Sequence, residues 1–198
     1  MRLSPALLLL LALLAGCAST PQQGQGERPW REHRNQVEAL QQWQARGKLA
    51  LRNGQQAQSA TLLWQQRGGA SELQLSGPLG MAATRILADG QTLEIHRGDE
   101  VRVLDISTPR AITLNTGWDL PLAALPYWLR GIPQPGTEGS RLHVEQGLLR
   151  SLSQDGWKVR FDSYARFGNY TLPTRLQVQR QDTSVKLLLN DWRTGSTP

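Results

Sequence analysis

Cysteine is nearly absent: Cys17 stands alone in 198 residues, so no internal disulfide can form. Histidine is scarce too, with three residues. His33, His96 and His143 lie far apart, without His-x-x-x-His spacing or a Glu pairing suited to a metal. No Gly-x-Ser-x-Gly elbow and no Gly-rich phosphate loop occurs. Packed or solvated histidines account for this pattern, and the expectation is a non-enzyme without metal or cofactor. The formal charge is +6, yet the arginines are scattered and no Lys/Arg run exists. A nucleic-acid footprint would cluster its cations and interleave them with stacking aromatics, so no nucleic-acid partner is expected, only weak attraction to an anionic surface or an acidic partner. Hydrophobic residues at 39% and charged ones at 19% describe a β-rich or mixed domain, neither disordered nor embedded in a membrane. No Pro/Gly linker divides the chain and no repeat recurs, so residues 29–198 read as one domain, expected to be monomeric.

The N-terminus is more specific. Arg2 is a short basic region, and Ala6 to Leu14 an apolar run too short to span a bilayer. Leu14-Ala15-Gly16-Cys17 follows and resembles the bacterial lipobox; the alternative is an ordinary secretory signal with an incidental cysteine. The resemblance implies that residues 1–16 are a signal peptide and that Cys17 becomes the first residue. Its thiol would carry a diacylglycerol and its amine a further acyl chain, more than stable anchoring requires. Ala18, where Asp would mark inner-membrane retention, implies the outer membrane, facing the periplasm. Residues 17–28 then form the lipidated Cys and a Ser/Thr/Pro/Gln/Gly tether.

From Pro29 to Gln44 the spacing of Trp30, Val37 and Leu40, with Trp43 or His33, predicts an amphipathic helix. From Gly47 the period becomes two. Leu49 and Leu51, Leu62 and Trp64, Leu73 and Leu75, and Leu93 and Ile95 alternate with polar residues, separated by Asn53-Gly54, Arg67-Gly68-Gly69, Asp89-Gly90 and Arg97-Gly98-Asp99. Such short strands and regular turns predict an antiparallel meander. The alternation stops at about 107–133. There Thr108-Pro109 and Asp119-Leu120-Pro121 open short helices carrying Leu122, Leu125 and Trp128, with Pro126 kinking or restarting the second. Strands resume at Arg141 and run to Trp192. The architecture expected is one curled antiparallel sheet whose open mouth the helical insert covers.

One turn is anomalous. Pro78-Leu79-Gly80-Met81, between two strands, is apolar where turn tips are ordinarily polar. Either Leu79 and Met81 fold back onto the core, or the tip works at a surface.

The lipobox, Trp30 to His33, Trp64-Gln65-Gln66, Pro78-Leu79-Gly80, Pro121-Leu122 through Trp128-Leu129-Arg130-Gly131, Trp157-Lys158-Val159 and Asn190-Asp191-Trp192 together resemble the LolB family of outer-membrane receptors for lipoproteins. The resemblance implies a mainly β fold, an unclosed antiparallel β-barrel of the LolA/LolB type with a helical lid over a hydrophobic cavity. It also implies a function: taking lipoproteins from a LolA-like periplasmic carrier and placing their acyl chains in the inner leaflet of the outer membrane. The family's protruding loop leucine falls on Leu79; Met81 and Pro126 depart from its pattern. Inward alternation proposes Leu49, Leu51, Leu62, Trp64, Leu73, Leu75, Leu93 and Ile95 as cavity lining, with Leu122, Leu125 and Trp128 from the lid. A one-residue phase error would invert each strand, and every one of these residues could equally be plain core. The competing reading is a structural or assembly-accessory outer-membrane lipoprotein without an acyl cavity; Cys17 argues against a soluble carrier.

Overall fold

Strands joined by two-residue turns can pair only with their chain neighbours, and a meander results. The computed structural model describes residues 27–77, 83–108 and 121–195. Cys17 with the tether to residue 26, the Pro78–Met81 tip, and the helix foreseen at Thr108-Pro109 up to Leu120 therefore lie outside the described residues, Thr108 excepted. The N-terminal meander comprises β1 (Gln42–Asn53), β2 (Gln56–Arg67), β3 (Ala70–Ser76), β4 (Thr84–Ala88), β5 (Thr92–Arg97) and β6 (Glu100–Asp105). The C-terminal one comprises β7 (Arg141–Glu145), β8 (Leu148–Gln154), β9 (Trp157–Phe167), β10 (Tyr170–Arg180) and β11 (Thr183–Thr194).

The eleven strands form one sheet in the order β6-β5-β4-β3-β2-β1-β11-β10-β9-β8-β7. Its one non-sequential neighbour pair is β1 with β11, which joins the two meanders. Strands β6 and β7 remain edges among the described residues, so the antiparallel sheet curls without closing. The connection between those two edges carries the second helix.

Helix α1 (Glu27–Glu38) buries Trp30 and Val37 and packs against β8 and β10. The helix expected from Pro29 to Gln44 is thus corrected at both ends. It starts two residues earlier, taking residues 27 and 28 from the tether, and stops at Glu38. Trp43 belongs to β1, where its ring lies 6.1 Å from that of Trp64 and 5.2 Å from that of Trp192. Helical spacing happens to persist through Leu40, but two neighbouring strands, β2 and β11, offer Trp43 ladder bonds and two indole partners. Tertiary pairing overrides local propensity there. The first turn is also shifted: Asn53 is the last paired residue of β1, and Gly54, at φ +57°, opens a Gly54-Gln55 turn.

Helix α2 (Leu125–Leu129) is shorter than the helix expected from Asp119 and is preceded by a turn over residues 122–124. Pro126 occupies its first turn, where the missing N–H forgoes no helical bond. The α2 segment is fastened from inside. Trp128, Leu129 and Ile132 are fully buried, and the Trp128 indole N–H donates to Gln154 Oε1 at 2.8 Å. The same oxygen accepts from the Gln134 backbone N–H, while Gln154 Nε2 donates to the Gln134 carbonyl and to Ser140 Oγ. Every hydrogen-bonding position of this buried amide is used.

His33, on α1, is half-buried, with its Nε2 buried and unpartnered among the described residues, and desolvation lowers its pKa below the ordinary imidazole value. The folded state therefore holds it neutral more strongly than the unfolded chain does. Its contribution is fully present above the unfolded pKa of about 6.5 and is lost as pH falls from there through the lowered folded-state value. The midpoint of thermal unfolding is expected to drop between pH 7.5 and 5, and to drop less in His33→Phe. Equal pH dependence in the two proteins would remove His33 as the cause.

Candidate functional site

In an antiparallel ladder directly opposed residues share a face, so register decides which side chains meet. Leu49 faces Ala60 and Leu187, Leu51 faces Val185, Leu62 faces Leu75, and Trp64 faces Leu73. Leu73 faces Ile86, Ile86 faces Ile95, and Leu93 faces Ala88 and Leu104. All eight strand residues singled out by alternation thus lie on one face, which also receives Trp128 and Leu129. The face is divided. Leu62, Trp64 and Trp128 are packed solid in the core, with Leu73 and Leu125 partly buried against it. Leu93 joins Ile106 in a second cluster against Leu122. These seven strand and lid candidates, Leu122 included, do not line the larger apolar space.

Leu49, Leu51, Leu75 and Ile95 do. With Ala60, Ile86, Thr84 and Gly77 they surround a cavity of about 520 Å³ at the end of the face remote from α2, within the roughly 300–1,000 Å³ usual for small-ligand sites. Gly77 and Thr84 bracket the Pro78–Met81 tip in sequence, so the cavity ends at the base of that tip. Arg97 stands at its border and donates to Thr84 Oγ1 at 3.3 Å. Ile86 is a lining residue that alternation in Thr84-Arg85-Ile86-Leu87 could have found. Arg97 carried no such signal, because a cation beside a turn reads as solvated.

A second cavity, of about 330 Å³, lies between α2 and the sheet rim. Leu40, Ile106, Leu122 and Pro126 form its apolar wall, and Trp43, Gln66 and Arg130 its polar one. Leu122 is the only lid candidate that borders a cavity among the described residues. Gln66 explains Trp64-Gln65-Gln66 physically: its Oε1 accepts from the Trp64 indole and from Ser71 Oγ, and its Nε2 donates to the Gly68 carbonyl. Arg130 is 5% exposed; its Nε donates to the Pro126 carbonyl and its Nη1 to the carbonyls of Val37 and Leu40. Burial lowers its pKa below the usual guanidinium value, although arginine stays charged.

A family profile described as "Outer membrane lipoprotein LolB" matches residues 41–192. The chain belongs to the LolB family. Outer-membrane lipoprotein LolB of Stutzerimonas stutzeri is 36% identical over 197 residues, covering 96% of this chain and 94% of its own. The LolB proteins of Pseudomonas syringae pv. syringae and Pseudomonas aeruginosa (strain LESB58) are 35% and 36% identical over 189 residues, covering 93% and 92% of this chain and 92% of each relative. LolB-family membership makes this an outer-membrane lipoprotein. Among solved structures, a DUF1329 family protein from Desulfovibrio piger superposes with a TM-score of 0.54 at 10% identity, covering 85% of this chain and 92% of its own. A LolA superfamily protein from Nitrosomonas europaea superposes with a TM-score of 0.50 at 10% identity, covering 87% and 94%. At that identity the likeness speaks for the fold alone, and it agrees with the unclosed antiparallel barrel expected of a LolB-family chain.

Proposed function

We propose that this protein receives lipoproteins from a LolA-like periplasmic carrier and delivers their acyl chains to the inner leaflet of the outer membrane. The observation that carries this reading is the apolar cavity on the concave face, ending at the base of an apolar tip. One acyl chain of some fifteen methylenes gains on the order of 10 kcal/mol by leaving water, at about 0.8 kcal/mol per CH₂. Release into solution is therefore closed to the cargo, and transfer must run between apolar surfaces in contact. Leu49, Leu51, Leu75 and Ile95 supply one such surface. Lipidated Cys17 supplies the anchor that keeps it beside the bilayer, and the tether sets its reach.

Leu79 enters the leaflet in this scheme. A single leucine is worth only a few tenths of a kcal/mol in a membrane, so it orients the cavity mouth and lowers the transfer barrier rather than holding the protein down. An accessory lipoprotein would need no cavity at this position, and displacement of a bound fluorescent apolar probe by lipoprotein separates the two readings.

The direct test mixes the protein with a lipoprotein–carrier complex and follows the cargo. It is expected to change hands, and cargo that stays on the carrier defeats the receptor reading. Leu79→Glu is expected to accept cargo normally yet deliver it to liposomes several-fold more slowly. Unimpaired delivery by that variant removes the tip from the mechanism.

A further inference from the structure

The cavity between α2 and the sheet rim differs in chemistry from the apolar one, and its polar wall holds a buried donor without an acceptor. Arg130 places a full positive charge at 5% exposure; Glu38 acts on it electrostatically, but no carboxylate lies within ion-pair distance among the described residues. Three carbonyls occupy its Nε and Nη1, whereas Nη2 donates to nothing among the described residues. Trp43, in the same wall and 3% exposed, has its indole N–H buried without an acceptor. Asp89 also borders the cavity, but its Oδ1 already accepts the backbone N–H groups of Gln91 and Thr92 at 2.9 and 2.7 Å. A buried indole N–H without an acceptor is costly in isolation, and the same wall, with Leu40, Ile106, Leu122 and Pro126, presents the cationic Arg130 Nη2, which has no protein acceptor among the described residues. The two donors suit an acceptor-only, negatively charged group borne on an alkyl stem.

We propose that this cavity binds an anionic single-chain amphiphile, its oxyanion (the carboxylate of a fatty acid or the phosphate of a lysophospholipid) taken by Arg130 Nη2 and the Trp43 indole N–H. The alkyl stem lies against Leu122, Ile106 and Leu40. Because Arg130 also holds the carbonyls that end α1, occupancy tightens the junction between α1 and α2. The site stands apart from the acyl-transfer reading, since neither donor borders the cavity near the tip.

The test titrates the full mature chain carrying Cys17→Ser, soluble for want of its acyl anchor, with hexanoate, hexyl phosphate, inorganic phosphate and hexanol. Hexanoate or hexyl phosphate is expected to bind saturably at one site, raise the unfolding temperature and move the Trp43 indole N–H resonance. Whichever of the two binds tighter identifies the source of the oxyanion. Hexanol is expected to bind about tenfold more weakly for lack of a charge-assisted acceptor. Trp43→Phe should weaken hexanoate or hexyl phosphate by roughly threefold or more through the lost hydrogen bond. Arg130→Lys, which keeps charge but not the planar fork, should weaken them further. The resonance shift is read on the unsubstituted indole, so the test stands even if either variant folds poorly. Hexanol binding as well as hexanoate, inorganic phosphate binding as well as hexyl phosphate, or an unmoved Trp43 resonance each overturns the assignment.

Discussion

Trp128→Ala is expected to cost about 3–5 kcal/mol of stability, the range for truncating a fully buried tryptophan. Trp128 has no exposed surface, and its ring lies 6.4 Å from that of Trp157. Truncation leaves a void and leaves Gln154 without one of its donors. Gln154 in turn fixes the Gln134 backbone and Ser140, so the damage spreads along the loop that returns to β7. Helix α2 is too short to persist by itself; among the described residues it is held by what it buries and by the Arg130 hydrogen bonds to Val37 and Leu40. The variant should therefore also bind an apolar fluorescent dye more strongly in native conditions, because the insert no longer seats on the concave face. Urea unfolding gives the first quantity and dye titration the second. Trp128→Phe, which keeps most of the volume and loses the N–H, should lose roughly 1–3 kcal/mol, the cost of one unsatisfied buried partner. A cost under about 1 kcal/mol for the alanine variant would show that α2 is pinned elsewhere.

Gly47→Val should be nearly as damaging, for a backbone reason. Arg46 pairs with Asp191 and Gly47 with Leu189, so Asn190 is an extra residue bulged out of β11. The bulge drives β11 against β1. A Cβ on Gly47 would collide with the Leu188 carbonyl oxygen and stand 2.9 Å from its carbon and 3.0 Å from Leu189 Cα. All three obstacles are main chain, and they belong to the one strand pair that joins the two meanders. The expected loss is roughly 3 kcal/mol or more, beyond ordinary overpacking because no side chain can rotate away. Gly54→Ala is the control: nothing lies within 4 Å of its Cβ, and only the positive φ opposes it, a penalty of about 1–2 kcal/mol. Equilibrium unfolding of the two variants separates collision from conformational strain, and equal losses would discard the collision.

Alternation proved a sound guide to the strands because its period is local. Leu49, Leu62, Leu73 and Leu93 share a face for the same reason that each neighbours a polar residue in the chain, and the two-residue turns then leave little choice of partner. The Pro78–Met81 tip and Cys17 were legible as chemistry, an apolar turn and a lipobox, although both lie outside the described residues. Helical spacing misled at Trp43. The signal that would have corrected it, ring contacts with Trp64 and Trp192, joins Trp43 to another strand and to one more than a hundred positions away. Arg130 stands out in the sequence only as part of a motif, since nothing near it announces that its partners include the Val37 and Leu40 carbonyls.

By itself, then, the sequence determined the antiparallel meander and proposed the inward set of side chains, both from short-range period and turn chemistry, while the family followed from its motifs. Only the tertiary structure decided which inward residues enclose space and which are packed solid. No described lid residue lines the space around Leu49, Leu51, Leu75 and Ile95, whereas Leu62 and Trp64 meet the core that α2 completes. That division depends on where a five-residue helix comes to rest, and its resting place is set by Trp128 finding Gln154 across the fold.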